Sequence, residues 1–198
     1  MRITKFTHAC VRLEHEGRVL VIDPGTWSEP GALIGADAVL VTHEHADHID
    51  VLRLAGLRVP VYAPAGAAIT GVDFVGVSSG EAFTAAGFPV LAFGSPHAAV
   101  HNGQPGCANL GYLVDGSLYH PGDSLHVPGQ PVETLLVPAH ASWLKLAEAV
   151  EFVNAVHPRR AFAIHDAMLN ERGLRSINNW LAQATDSDYR YPAPGESL

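Results

Sequence analysis

The chain has 198 residues, a length that fits one domain or two halves sharing one core. Hydrophobic residues make up 47% of the sequence and charged residues 16%, which is typical of a globular protein and not of a disordered one. The net charge of -8 argues against a nucleic-acid backbone as the main partner. A small anionic substrate stays open, because a bound metal would make its site locally positive.

The cysteine content and the N-terminal segment bear on the compartment. Two cysteines, Cys10 and Cys107, are too few for a disulfide framework. The segment from Met1 to Gly17 mixes charged and apolar residues and has no apolar core of the signal-peptide type. No uncharged apolar window is long enough to span a bilayer, so we expect no membrane association and a cytoplasmic location.

The N-terminal third alternates short strand-like runs with turn signals. Glu16-Gly17 is typical of a hairpin turn, and Asp23-Pro24-Gly25 ends a strand. Asp47 or Asp50 is placed to cap a short helix. We predict strands over Arg2–Thr7, Cys10–His15, Arg18–Ile22, Ala38–Val41 and Val59–Tyr62, and helices up to Ala55 and over Pro64–Thr70.

The rest of the chain again runs from strands to helices. Residues 95–109 are rich in Gly, Pro and Asn and predict a loop, and Asp115-Gly116 predicts a hairpin turn. We predict strands over Phe74–Val77, Glu81–Thr84, Pro89–Phe93, Leu110–Val114, Ser117–His120, Thr134–Val137 and Ala161–Ile164, and helices over Leu144–Val156 and Gly173–Ala184. This order predicts an α/β protein with two sheets packed face to face and helices outside. No linker divides it, so we predict one domain over residues 1–198.

The most informative segment is Thr42-His43-Glu44-His45-Ala46-Asp47-His48, directly after an apolar strand. If the backbone continues as a strand, His43 and His45 point the same way and can share one ion. If the chain then turns into a helix, Asp47 and His48 point elsewhere and can serve a second ion. A polar surface loop is the alternative, but these residue types at these offsets arise in roughly two of a thousand such chains.

Four residues cannot complete two metal sites, because zinc takes about four ligands and a catalytic zinc leaves one position for water. Further candidates follow apolar strand runs at three places: His97, the segment from His120 to Asp123, and His165-Asp166. Each alone is more often an ordinary loop residue. Together they form a coherent set of ligands at strand ends.

This combination resembles the metallo-β-lactamase superfamily over nearly the whole chain. The resemblance rests on the HxHxDH run at 43–48, the lead-in at 20–25, the Gly122-Asp123 turn and the late His165. The segment Thr7-His8-Ala9-Cys10 is similar to the opening of a compact single-domain branch that includes the ascorbate-6-phosphate lactonase type. The resemblance implies an αββα sandwich of two mixed β-sheets flanked by helices, with metals at one edge.

The resemblance also implies the role of each ligand. The first ion would be held by His43, His45 and His97, the second by Asp47, His48 and His165, and Asp123 would bridge both. His97 and His101 lie in the same loop. We prefer His97 as the ligand because it is closer to the end of the strand. Asp23 resembles a buried acid that orients a ligand imidazole, although a turn residue before Pro24 is an equally good interpretation.

We expect two Zn²⁺ ions per chain, with Mn²⁺, Fe²⁺ or Ni²⁺ as alternatives. A water bridging two ions would be acidic enough to act as hydroxide near neutral pH and attack a carbonyl or phosphoryl centre. The catalytic candidates are Asp123 as bridge, Asp47 as a proton acceptor, and His8, because the related branch has a histidine there. Candidates for the pocket lining are Trp27, His120, His140 and Trp143, although such residues more commonly pack in the core. Candidate cations for an anionic substrate are Lys145 and Arg172, although such residues more commonly carry solvated surface charge.

Several functions fit such a site. The first is hydrolysis of a small ester, lactone, thioester or phosphoester. A phosphodiesterase or nuclease of the same superfamily usually carries a basic nucleic-acid-binding segment, which this chain lacks. A mononuclear-iron dioxygenase stays open because His and Asp ligands suit iron as well as zinc, and a non-catalytic metal-binding module is the fourth possibility. We predict the hydrolase, with a small-molecule substrate and no nucleic-acid partner; substrate and oligomeric state stay open.

Overall fold

Two mixed β-sheets dominate the computed structural model, which describes residues 1–102 and 106–198. The strands of the first sheet are β1 (Arg2–Lys5), β2 (Val11–His15), β3 (Arg18–Ile22), β4 (Ala38–Leu40), β5 (Val61–Pro64) and β6 (Val75–Val77), in that spatial order. The strands β1 to β3 run antiparallel, and β3 to β6 run parallel. Parallel strands bring their carboxyl ends to one edge.

The second sheet repeats this plan. Its strands are β7 (Ala82–Ala85), β8 (Phe88–Pro96), β9 (Ala108–Val114), β10 (Leu118–His120), β11 (Thr134–Pro138), β12 (Arg160–Ile164) and β13 (Asp188–Arg190), again in spatial order. The strands β7 to β10 run antiparallel, and β10 to β13 run parallel. Both sheets therefore begin with an antiparallel meander and continue with parallel strands.

The sheets pack face to face because their strands are apolar on both sides. In β3, Leu20 and Ile22 lie in the core between the sheets, whereas Val19 and Val21 pack on the outer face. Alternation with period two produces this division. Burial of each large side chain contributes about 1.5–3 kcal/mol to the free energy of unfolding.

Helices cover the two outer faces unequally. The second sheet is covered by α2 (Leu146–Val156) and α3 (Glu171–Ala184), which bury Phe152 and Leu181 against the sheet. The first sheet is covered by the short α1 (Val51–Ala55) and a single 3-10 turn at Pro30–Leu33. The predicted sandwich of two mixed sheets with helices outside is confirmed. None of the described helices has the length and apolar character needed to cross a membrane.

Two local predictions were wrong, and one strand was not predicted. The predicted helix over Pro64–Thr70 does not form, because Pro64 ends β5 in parallel pairing with β6 and the chain turns at Ala65. The predicted loop over 95–109 is shorter, since β8 extends to Pro96 and β9 begins at Ala108; residues 103–105 of that loop lie outside the described part. The strand β13 was missed because pairing with β12, not its own pattern, defines it.

The strand ends converge on one edge of the sandwich. Asp23 follows β3, Thr42 and His43 follow β4, and His165 follows β12. Backbone hydrogen bonds tie these ends together across the two sheets: Leu110 donates to the carbonyl of Thr42 (2.9 Å), and His165 donates to the carbonyl of His8 (3.0 Å). This edge holds the candidate site.

Candidate metal centre

The run at 43–48 lies outside the strand that precedes it. The strand β4, predicted over Ala38–Val41, ends at Leu40, and residues 42–48 form bends and turns, so the condition that the strand continues through His45 is not met. The side chains of His43 and His45 nevertheless converge, with Nε2 of His43 lying 3.1 Å from Nδ1 of His45. Two nitrogen atoms that face each other in this way can share one cation.

The loop at 23–26 holds this run in place. The backbone N–H of Thr26 donates to the carbonyl of Ala46 (2.8 Å). The backbone of Asp47 lies directly against Gly25, where any side chain would collide with it. Asp50 then caps α1, because its side chain accepts the backbone N–H of Arg53 (3.0 Å). Of the two predicted capping residues, Asp47 and Asp50, it is Asp50 that caps this helix.

Donor atoms at this edge form three overlapping groups in which the ligand atoms lie within 4.8 Å of one another. The groups are His43, His45 and His97; His43, His48 and Asp123; and His8, Asp47, His48 and His165. All seven predicted ligands are therefore brought together. His101 belongs to no group, because it is exposed and its Nδ1 bonds to the carbonyl of Asn102 (2.9 Å), so the geometry favours His97.

Asp123 lies between the two ends of the cluster. Its Oδ2 is 3.3 Å from Nε2 of His97 and 3.1 Å from Nε2 of His165, and its Oδ1 is 3.2 Å from Nε2 of His48. The preceding Gly122 has a φ of 62°, and a side chain there would collide with those of Asn109 and Thr42. Asn109 also accepts the backbone N–H of Asp123 (3.0 Å). The carboxylate of Asp123 is thereby held between His97, His48 and His165.

Hydrogen bonds on the far side of three imidazoles aim them at the cluster. Nδ1 of His48 donates to Oδ2 of Asp23 (2.7 Å), Nδ1 of His165 to the carbonyl of His140 (2.6 Å), and Nδ1 of His97 to the carbonyl of Ala98 (2.7 Å). Each bond leaves Nε2 as the free nitrogen. Protein metal sites orient their histidine ligands in this way.

Three buried atoms at the centre form no well-directed hydrogen bond with the described residues, although Nε2 of His48 and Nε2 of His165 lie 3.2 and 3.1 Å from the carboxylate oxygens of Asp123. The three atoms are Nε2 of His48, Nε2 of His165 and Oδ1 of Asp123. A buried polar atom without a partner costs about 1–3 kcal/mol, so such atoms rarely cluster unless something binds them. Imidazole nitrogens and carboxylate oxygens are common ligands of divalent cations, and these residues fit a metal of the zinc class.

Charges at the centre are arranged around His48. Burial opposes a charge on its ring, but Asp123 and Asp23 on either side raise its pKa well above the ordinary value. Burial likewise opposes ionisation of Asp123, but His48 and the neighbouring imidazoles hold its pKa well below the usual range. Burial lowers the pKa of His43 and of His45, which keeps both neutral as metal binding requires.

His8 contacts the cluster through Asp47. Its Nε2 lies 3.0 Å from Oδ2 of Asp47, and its ring centroid is 3.9 Å from that of His165. Burial lowers the pKa of His8 despite this hydrogen bond. Burial alone would raise the pKa of Asp47, but the bond from His8 and the nearby His48 lower it to about 2.

The backbone at His8 is strained, with a φ of 68° in the left-handed region. Its N–H donates to Oδ1 of Asp166 (3.2 Å), whose Oδ2 accepts from Nζ of Lys5 (2.9 Å). Lys5 and Asp166 are both buried, so this ion pair fixes the segment that carries His8. Strain of this kind tends to occur at functional positions.

Other predicted pocket residues have different roles. His120 is fully buried and does not line a pocket, because its Nε2 donates to the carbonyl of Ala9 (2.9 Å) and its Nδ1 accepts from Gly122 (3.1 Å). The ring of Trp27 is half-exposed and packs edge-on against His8. The indole N–H of Trp143 donates to Oδ2 of Asp123 (2.9 Å), a contact that the sequence did not reveal.

Two supporting residues were missed. Thr42 donates to Asp23 through both its backbone N–H and its hydroxyl, each at 2.7 Å. Asn109 holds the turn at Asp123. Thr42 directly precedes the histidine run, a position that signals a supporting role once the run is identified. Nothing in the sequence marks Asn109, because it meets Asp123 only when β9 and β10 pair.

Comparisons with known proteins identify the family of the chain. Residues 2–165 match the family model described as the beta-lactamase superfamily domain. The protein Rv0786c of Mycobacterium tuberculosis is 38% identical over 202 residues, covering 96% of this chain and 95% of that protein. The UPF0173 protein PF0020 of Pyrococcus furiosus is 30% identical over 188 residues, covering 86% of each chain.

A solved structure shows the same fold. Igni18, a metallo hydrolase from the archaeon Ignicoccus hospitalis, superposes with a TM-score of 0.74 at 17% identity, covering 100% of this chain and 97% of that one. With the family model spanning residues 2–165, the chain belongs to the beta-lactamase superfamily.

Proposed function

We propose that this protein is a metal-dependent hydrolase that binds two divalent cations, with zinc as the preferred metal. The observation that carries this proposal is the set of three buried atoms, on His48, His165 and Asp123, that form no well-directed hydrogen bond within the described part of the chain. They lie among imidazoles that outer hydrogen bonds already orient, which is the arrangement of a preformed metal site.

The ligands divide between two ions. His43, His45 and His97 would hold the ion at the open end, where His45 is exposed. Asp47, His48 and His165 would hold the ion at the buried end, and Asp123, whose Oδ2 lies between His97 and His165, would contact both. The two carboxylates offset half of the total metal charge, so the cluster would keep its Lewis acidity.

When bound, the two cations would acidify a shared water and polarise the carbonyl or phosphoryl group that this water attacks. Asp47 stays ionised because its pKa is about 2, so it balances metal charge and holds a proton only in passing. His8 donates to Oδ2 of Asp47 and fixes that carboxylate. The substrate would be a small ester, lactone, thioester or phosphoester.

Metal analysis and a substrate panel test the proposal. Protein purified without added metal should contain about two zinc or manganese ions per chain, and should cleave at least one ester, lactone, thioester or phosphoester. Asp123→Ala should lower that activity by more than about a hundredfold, since it removes the shared ligand. Asp186→Ala, at an exposed turn far from the cluster, is the matched control.

Two outcomes would reject the proposal. Metal content well below one ion per chain would remove the basis of the mechanism. Full activity in Asp123→Ala would show that cleavage occurs elsewhere. Iron as the bound metal, together with no hydrolysis, would favour an oxidoreductase instead.

A further inference from the structure

A cavity of about 780 Å³ opens beside the metal centre, and we call it the metal-edge cavity. His97 and Trp143 form its inner end, so it begins at the open end of the cluster. Its volume falls in the range of about 300–1,000 Å³ that is usual for small-molecule sites. The part of the substrate that is not cleaved would have to lie here, given the proposed function.

The walls of the metal-edge cavity combine apolar and polar side chains. Pro96, Ala98, Leu125 and Val127 are among the apolar lining residues, and the polar ones include two serines and His126. The indole of Trp143 lies across the inner end, where its N–H is already used by Asp123. The apolar residues favour an aliphatic or aromatic group, because each Å² of apolar surface removed from water contributes about 25 cal/mol.

Only one side chain with a full charge lines the described part of this cavity, and it is negative. Glu148 is bound at the start of α2, where its Oε2 accepts the backbone N–H of Lys145 (2.8 Å). The ammonium of Lys145 lies 3.9 Å from Oε1 of Glu148, and its side chain is 84% exposed. The ammonium of Lys145 is therefore largely solvated and already paired.

The described lining offers no permanent positive charge for an anion. The described residues that line the cavity include no lysine or arginine. The histidines among them are His97, whose Nε2 lies 3.3 Å from Oδ2 of Asp123, and His126. A phosphate or carboxylate held in the cavity would lose water without gaining an ion pair to a lysine or arginine, which is costly.

We propose that the uncleaved part of the substrate is uncharged, and that it binds in the metal-edge cavity. Substrates with a second anionic group away from the reacting centre, such as a phosphorylated lactone or a coenzyme A thioester, are discriminated against. This proposal rests on the proposed function and narrows its substrate class. Selectivity against anions arises from the carboxylate of Glu148 and from the lack of lysine and arginine among the described lining residues.

Matched substrates test this proposal on the metal-loaded protein. The p-nitrophenyl ester of hexanoic acid and the mono-p-nitrophenyl ester of adipic acid share a leaving group and a chain length, but only the second has a terminal carboxylate. We expect kcat/KM to be at least about tenfold higher for the neutral ester. Equal values, or a preference for the anionic ester, would overturn the proposal.

A charge added to the cavity wall should reverse the selectivity. Val127 is 42% exposed, so Val127→Lys should fold and bind metal normally, and it should raise kcat/KM for the adipate ester relative to the hexanoate ester by several-fold. Val75→Lys, at a 50% exposed valine of β6, is the matched control and should leave the ratio unchanged. An unchanged ratio in Val127→Lys would show that the uncleaved group binds outside this cavity.

Binding measurements separate this inference from the proposed function. Calorimetry with hexanamide and with the monoamide of adipic acid needs no turnover. Preferential binding of hexanamide without any ester hydrolysis would reject the hydrolase and keep the cavity assignment. Hydrolysis with tighter binding of the acidic amide would keep the hydrolase and reject the assignment.

Discussion

At one end of the metal centre, His48 and His165 are buried and each is held through Nδ1 by a short hydrogen bond, whereas at the other end His45 is exposed. The buried end is enclosed by Asp23 and His8, both fully buried. The open end borders the metal-edge cavity, and Nε2 of His45 lies 3.8 Å from the thiol of Cys107.

This difference suggests that the two ions would do different work. Ligands that cannot move bind a metal tightly, because little conformational freedom is lost on binding. The buried end therefore has the structure of a permanent site. The open end, beside the cavity, has the structure of the site that meets the substrate. The variants below test this difference between the buried end and the open end, from the largest expected effect to the smallest.

Removal of a histidine from each end should affect the metal-free protein very differently. His48→Ala leaves Asp23 and Asp123 buried without a cation, which should lower the free energy of unfolding by about 3–5 kcal/mol. His45→Ala removes an exposed ring and should change it by less than about 0.5 kcal/mol. Urea denaturation in the presence of a chelator measures both values.

The pH of this measurement matters. The pKa of His48 is raised in the folded state, so its contribution is complete below its ordinary value of 6.5 and is lost as pH rises through the folded pKa. The pKa of Asp123 is lowered, so its contribution is complete above 3.8 and is lost as pH falls through the folded pKa. The effect of His48→Ala should therefore be largest between these two values. Equal losses for His48→Ala and His45→Ala would contradict the comparison.

A smaller effect, a loss of metal affinity, is expected from substitution of Asp23, which binds His48 at the buried end. Asp23→Asn keeps the size of the side chain but weakens the orientation of His48, and changes of this kind typically lower metal affinity by about 10–100-fold. Cys107→Ser, beside the open end, should lower it by less than about twofold. Competition with a chromophoric chelator measures both affinities. Similar losses in the two variants would show that the buried end is not specially organised.

The smallest effect should come from Trp143. Trp143→Phe keeps an aromatic ring but removes the N–H that donates to Oδ2 of Asp123, and one hydrogen bond is worth about 0.5–1.5 kcal/mol. Metal affinity should fall by about two- to tenfold in the same chelator assay. Trp180→Phe, at an exposed position of α3, is the control and should have no effect. No loss in Trp143→Phe would show that Asp123 needs no support from the indole.

The sequence predicted the sheets well because their strands are short apolar runs bounded by strong turn signals. Asp115-Gly116 illustrates this, since both residues have positive φ in the hairpin between β9 and β10. The predicted helix over Pro64–Thr70 failed for a tertiary reason. Pro64 pairs with Val77 in the sheet, and the carboxylate of Glu44 accepts the backbone N–H of Ala68, so that segment is held in an irregular form.

The grouping of the candidate ligands was predictable because each follows an apolar strand, and parallel strands bring their carboxyl ends together. The residues that support them were not, because their partners lie far away in the sequence. Lys5 and Asp166 meet across the two halves of the chain, and Trp143 reaches Asp123 from the loop before α2. Spacing along the chain carries no sign of such contacts.

The most direct test is a calorimetric titration of the metal-free protein with Zn²⁺. The proposed two-metal site predicts two ions per chain in two unequal steps, with His45→Ala losing the weaker step and keeping the tighter one. A single ion per chain would contradict the two-ended centre. So would two equal steps, or the loss of both steps in His45→Ala.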